Sequence, residues 1–332
     1  MQGVQGKTMN LTKKLIVVLM AVISVMLVGC SYIRPGDNGK INIVTTVFAS
    51  YDFAKQVAGD NANVTLLIKP GSESHSSEPT PKDIIAMEEC DIFIYTGGEN
   101  DTWLDYILES VDNKDMVIIK MLDLVEKYEE EHVEGMEGHH HHHSHDHEDH
   151  EGEEGKTEWD EHVWTDPLNA VKISEKIKDV LCEEDSSNKV EYERNFTAFS
   201  RALIELDMEF EEIINNAERK EIVFGDRFPL RYFVEAYGLD YYAAFPGCAA
   251  ESEPSAKTVA FLIDKVKENG IPVVFKIELS NGNIAETIGR DAGAKVLTFY
   301  TCHNLSRDDF ENGETYISLM ERNLLTLREA LI

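Results

Sequence analysis

Residues 192–217 read YERNFTAFSRALIELDMEFEEIINNA. Phe196, Phe199, Leu203, Leu206, Phe210 and Ile213 recur at spacings of three and four, which places them on one stripe of an α-helix. No Gly or Pro interrupts the stretch, so it predicts a single helix roughly 40 Å long at the α-helical rise. A helix of that length can bridge two lobes, and the sequence on either side supplies them.

Before the helix, apolar β-branched runs alternate with helical patterns: KINIVTTVF (40–48), NVTLLIKP (63–70), DIFIYTG (91–97) and DMVIIKM (115–121) read as strands. Thr80 stands as an N-cap, with Pro81 at the first helical position and Asp83 three residues after the cap. After the helix the alternation resumes with EIVFGD (221–226), LDYYAAF (239–245), PVVFKIE (272–278) and AKVLTFY (294–300), and a last helix runs from Glu314 to Leu331. Strands separated by helices argue for parallel sheets covered on both faces. The expected fold is α/β, with two Rossmann-like lobes of parallel sheet joined by a long rigid helix. The lobes are placed at residues 30–190 and 219–332, the linking helix at 191–218.

The N-terminus reads as a targeting segment over residues 1–29. Lys13 and Lys14 precede an apolar run, Leu15 to Gly29, that is short for a membrane span of about 20 residues and suits a signal peptide. Met9 is a second candidate start. The run ends Leu27-Val28-Gly29-Cys30, the pattern of a bacterial lipobox in which Cys30 takes the lipid. The mature chain is therefore expected on the extracytoplasmic face of the cell membrane, lipid-anchored at Cys30. Export permits disulfides among Cys90, Cys182, Cys248 and Cys302; Cys248–Cys302 is the first pair to test against four free thiols. The formal net charge of −31 repels phosphate backbones and argues against a nucleic-acid partner.

Of the 12 histidines, eight lie in EGMEGHHHHHSHDHEDHEGEEG (134–155): His139, His140, His141, His142, His143, His145, His147 and His150. The surrounding loop, about 129–161, is acidic and glycine-rich and cannot bury enough apolar surface to order itself. It is internal and laced with Asp and Glu, unlike an expression tag. Such a segment suits weak, multivalent gathering of metal rather than one fixed geometry. His132 borders it, and three histidines remain outside: His75, His162 and His303. Each sits where a strand ends or a helix begins, the positions from which open α/β sheets present ligand-binding side chains. Neutral imidazole is the usual zinc ligand, and zinc prefers four donors. Asp226, after EIVF, is the first candidate for the fourth; Glu278, after PVVFKI, is the second. Trp164 would shelter His162, and Asp166 could orient its ring or cap the next helix.

PGSESHSSEPTPKDI (70–84), YTGGENDTWLD (95–105) and EHVWTDPLNA (161–170) resemble signatures of the zinc- and manganese-binding lipoproteins of ABC importers, the cluster 9 (ZnuA/TroA-like) solute-binding proteins. The His-x-x-Glu-Pro-x-Pro and His-x-Trp-x-Asp-Pro elements carry the resemblance in combination, and it covers nearly all of the mature chain. It implies two α/β lobes joined by a rigid helix with metal between them. It also implies His75 and His162 as ligands, and a monomer that captures zinc and delivers it to a permease and its ATPase. The family's third histidine falls at Gly225 here, and its late Asp is replaced in FYTCHNLS by His303. His303 is then expected to supply the missing imidazole and Asp226 the carboxylate. Imidazoles favour zinc over manganese, the alternative cargo within the family. Two other classes are a surface adhesin and an extracytoplasmic zinc enzyme. An enzyme is not expected, because neither a His-Glu-x-x-His helix nor a Gly-x-Ser-x-Gly elbow is present.

Overall fold

The computed structural model describes residues 39–72, 79–136, 158–248 and 254–332. The targeting segment with Cys30, His75 in its loop, and the histidine run all lie outside the described residues. Gly39 and Lys40 group with the N-terminal unit; Ile41–Ile332 form one compact unit.

Among the described residues, eight strands make two four-stranded parallel sheets. The first comprises β1 (Ile41–Thr45), β2 (Ala62–Leu66), β3 (Ile92–Tyr95) and β4 (Val117–Lys120) in the order β2-β1-β3-β4. The second comprises β5 (Glu221–Phe228), β6 (Asp240–Pro246), β7 (Val273–Ile277) and β8 (Lys295–Phe299) in the order β6-β5-β7-β8. The orders match, and each reverses direction of growth beside its first strand. Crossover helices cover the sheets: α1 (Phe48–Ala58), α2 (Pro81–Glu89) and α3 (Thr102–Ser110) in the first half. The predicted capping box at Thr80 forms, its hydroxyl accepting from the Asp83 N–H while Asp83 accepts from the Thr80 N–H.

Two helices join the halves as an antiparallel hairpin, α4 (Pro167–Glu184) and α5 (Lys189–Asn215). Asp185 closes the turn, accepting from Ser187, Asn188 and the Tyr192 hydroxyl; these bonds, Ser187 foremost, lower its carboxyl to about 2. The stripe read from the sequence is the buried face of α5, with Phe199, Leu203, Leu206, Phe210 and Ile213 in the core. Phe196 is half-buried beneath the Lys178 ammonium, 5.1 Å from its ring centroid. One hydrophobic cluster runs without a break from Phe53 of the first half through α5 to Phe275 and Phe299 of the second.

The second half adds α6 (Arg231–Tyr237), α7 (Ala256–Glu268), α8 (Asn283–Ala292), α9 (Arg307–Glu311) and α10 (Tyr316–Leu331). The start of α10 reaches back to the first half: the Tyr316 N–H donates to Asp52 Oδ2 at 2.9 Å, its ring meets Phe53 edge-on at 5.0 Å, and its hydroxyl donates to the Trp164 carbonyl at 2.7 Å. The two sheets are thus tied by α5 and again by α10. Among the described residues no helix is long and apolar enough to cross a membrane.

Burial raises the Asp52 carboxyl from 3.8 to about 6, against the pull of the Tyr316 N–H, Gln56 and Lys55. A raised folded pKa means the folded state holds the proton more tightly. Stability from this group is complete below pH 3.8 and is lost as pH rises through about 6. Asp52→Asn keeps an acceptor for the Tyr316 N–H, and its amide donates to Gln56 once that side chain turns over. The variant is expected to be more stable than the parent at pH 7.5, by up to about 3 kcal/mol, and to show no gain at pH 4. Paired denaturant titrations at the two pH values check this.

Candidate metal centre

His162 lies just before α4, at the foot of a short antiparallel stem. The Glu130 N–H donates to Glu158 O and the Asp160 N–H to Tyr128 O, both at 2.9 Å, so the chain on either side of residues 137–157 is paired. The His162 side chain is fully buried. Asp160 Oδ1 accepts from the His162 N–H at 2.8 Å and lies 3.1 Å from Nδ1. A carboxylate on one ring nitrogen fixes the ring's orientation and favours presentation of Nε2 to a metal. Burial opposes charge on this ring, but Asp160, through its charge and its hydrogen bond, with Glu161 and Glu130, outweighs burial and raises the pKa above its ordinary value.

His303 follows β8 and meets His162 ring to ring, with centroids 5.3 Å apart. Trp164 completes a triangle, 5.6 Å from His162 and 5.2 Å from His303. Its indole N–H donates to the Thr301 carbonyl at 2.8 Å, which ties the His162 segment to the His303 loop. Asn304 Nδ2 donates to Lys69 O and Ser72 O at 2.9 and 2.7 Å, and the Gly71 N–H donates to Leu305 O at 2.8 Å. The chain leading into His75 is therefore stitched to the His303 loop, although His75 itself lies outside the described residues.

Beside His303 is a cavity of about 30 Å³ whose lining includes Ser72 of the first half and Arg227, Gly247, Glu278 and Thr301 of the second. That volume has room for an ion or a water; organic ligands occupy pockets of roughly 300 Å³ and more. Glu278 accepts from the Thr301 hydroxyl at 2.6 Å and the Thr301 N–H at 2.7 Å; burial, opposed by these bonds, pushes its carboxyl up to about 7. Leu279 and Cys302, at the ends of β7 and β8, hold left-handed φ angles of 63° and 58°. Backbone strain of this kind gathers at functional sites because the surrounding contacts must hold it in place.

One positional expectation is corrected by these contacts, and two open alternatives are resolved. Asp226 was expected beyond a strand end, but β5 continues to Phe228 and Asp226 sits inside it, at a register shift between Phe224 and Arg227. Its oxygens accept from the Arg227 N–H at 2.9 Å and the Ile277 N–H at 3.4 Å, and Arg227 and Glu278 line the cavity in its place. Of the two roles open to Asp166 it takes the cap of α4, accepting from the Leu168 N–H at 2.8 Å, while Asp160 bonds the imidazole. Cys248 and Cys302 form no disulfide, and all four described cysteines are free thiols. Cys302 is buried in the main core, whereas Cys248 faces His162.

Two residues beside His162 were not read from sequence as candidate metal-centre residues. Asp160 carries a local signal, a carboxylate two residues before a histidine. Cys248 carries none beyond being a cysteine after a strand. Its sulfur, a ring nitrogen of His162 and a carboxylate oxygen of Asp160 all lie within 4.8 Å of one another.

Residues 43–330 match the family model described as zinc-uptake complex component A, periplasmic. The chain is 35% identical over 321 residues to the zinc-binding lipoprotein AdcA of Streptococcus pneumoniae, an alignment covering 96% of this chain and 61% of that protein. It thus spans under two thirds of that relative's length. It is 32% identical over 296 residues to the high-affinity zinc uptake system protein ZnuA of Bacillus subtilis, covering 88% of each. Its structure superposes on the Zn(II)-bound ZnuA-like domain of the pneumococcal AdcA with a TM-score of 0.70 at 32% identity, over 88% of this chain and 99% of that one. The family model spans most of the chain and a curated relative is 32% identical over 88% of both sequences, so the chain belongs to the ZnuA family.

Proposed function

We propose that this protein captures zinc outside the cytoplasmic membrane and delivers it to the permease and ATPase of an ABC-type importer, as a lipid-anchored monomer tethered through Cys30. The observation that carries the reading is the approach of the His162 and His303 rings, with centroids 5.3 Å apart, where His303 also lines a cavity with room for an ion. The relatives are named for zinc, and the donors fit it: imidazoles suit zinc better than manganese, which prefers oxygen. His75, His162 and His303 make the imidazole set in this proposal. Asp226, the carboxylate first proposed beside them, already accepts from backbone N–H groups on β5 and β7 and would ligate through its remaining lone pairs.

The second lobe's attachment through α5 and α10 keeps closure small, so release is assigned to loop movement at the strand ends rather than to a wide hinge. A change of 1.4 kcal/mol on docking alters affinity tenfold. The permease would supply that difference.

Equilibrium titration with zinc and manganese tests the proposal. One tight zinc equivalent is expected, with manganese held weakly. Deleting Glu134–Gly155, which contains the eight clustered histidines, is expected to leave that equivalent intact and to remove further weak ones. Loss of all tight binding on deletion would reverse the roles of loop and cleft.

A further inference from the structure

We propose that Cys248 is a sulfur ligand of the cation held by His162, so that the centre mixes imidazole with thiolate. The inference rests on the metal-capture reading and deepens it. Cys248 follows β6, in the second half of the molecule, whereas Asp160 and His162 belong to the segment before α4. Folding alone brings the three together. In a tetrahedral zinc site with bonds of about 2.0–2.3 Å, neighbouring donors stand about 3.3–3.8 Å apart. Donor atoms within 4.8 Å of one another therefore need to close by at most about 1.5 Å.

The backbone around this cysteine is held from two sides. A Cβ added at Gly247 would meet Phe228 O at 2.8 Å and Asp160 Oδ2 at 3.3 Å, so the chain is pressed against the Asp160 carboxylate. The Cys248 N–H donates to Glu130 Oε1 at 2.6 Å, which fastens the residue to the stem that carries His162. Asp160 and Glu161 are buried and Glu130 approaches from the stem, so negative charge gathers around one imidazole and one thiol. That setting attracts a cation. Burial first, and then Asp160, Glu161 and Glu130, push the thiol well above its ordinary range. Binding therefore breaks the S–H bond, forms the sulfur–metal bond and releases the proton to solvent. Cys248 and His162 then supply a sulfur and a nitrogen donor from opposite halves of the molecule. A soft sulfur donor would also sharpen the preference for zinc over manganese.

Cobalt(II) reports the sulfur directly. The full chain loaded with one equivalent of cobalt is expected to show a near-ultraviolet sulfur-to-cobalt charge-transfer band. The clustered histidines contain no sulfur and cannot produce it. Cys248→Ser is expected to lose the band and to weaken zinc binding about a hundredfold or more, since loss of a group that only orients a ligand already costs 10–100-fold. Cys182→Ser, on α4, is expected to keep both. Stoichiometric cobalt uptake without the band, or a band that survives in Cys248→Ser, overturns the sulfur ligand and leaves metal capture standing. A chain that takes up neither zinc nor cobalt overturns both. Should Cys248→Ser not fold, the wild-type band, and its disappearance with iodoacetamide modification mapped to Cys248, decide the matter.

Discussion

His162→Ala is expected to weaken the tight zinc equivalent by between a hundred- and a thousandfold. Four-ligand zinc sites carry about 10–16 kcal/mol of apparent binding free energy, so one ligand accounts for about 3–4 kcal/mol, which converts to that range. The ring is fully buried, held by Asp160 on one nitrogen and flanked by Trp164 and His303. No neighbouring imidazole on the described segment can replace it. His303→Ala is expected to behave alike, because Trp164 and Thr301 keep its loop in place without the ring. Competition titration against a zinc chelator, run in the background lacking Glu134–Gly155, separates the cleft from the clustered histidines. A tight equivalent that persists in both variants would falsify the cleft as the capture site.

Gly225→Ala is expected to destabilise the second half by about 3 kcal/mol or more and to lower the midpoint of thermal unfolding. Gly225 lies on β5, where an added Cβ would stand 2.4 Å from Ala285 Cα and 2.6 Å from Ala285 N. Those are backbone atoms of α8, so relief requires the helix to move away from the sheet. Overpacking that rotamer changes can absorb costs about 1–3 kcal/mol, and a contact with backbone lies at or above the top of that range. Ala285→Gly removes only a Cβ, so it should not rescue the variant. Calorimetry of the two single variants and the double variant checks both statements, and full rescue would sink the packing account. The same close approach explains a feature of the metal centre. No side chain fits at position 225, so a histidine there is sterically excluded while β5 and α8 pack this closely. The donors of the second half must come from other loops.

Period and punctuation in the sequence were enough for the architecture. The stripe from Phe196 to Ile213 predicted α5 because its spacing follows the helical turn, and the β-branched runs predicted the strands because their flanks carry turn and cap residues. Thr80, Pro81 and Asp83 formed the cap they spelled, since that motif is built from neighbours in the chain. The sequence picked out His162 and His303 by their rarity and by their places before a helix and after a strand, and folding brings their rings together.

What sequence alone could not supply were the relations between residues far apart in it. Asp226 was placed past a strand end because nothing local reveals that β5 runs on to Phe228 through a register shift. Cys248 was open to a disulfide or to a free thiol because a cysteine's chemistry is set by what folding places beside it, here Asp160 and His162. The chain by itself determined two parallel α/β halves, a long helix between them and three isolated histidines. Only the tertiary structure decided which of those side chains face one another and which are claimed by backbone. Secondary structure follows from contacts a few residues apart, whereas a metal site is closed by groups separated by tens to hundreds of residues.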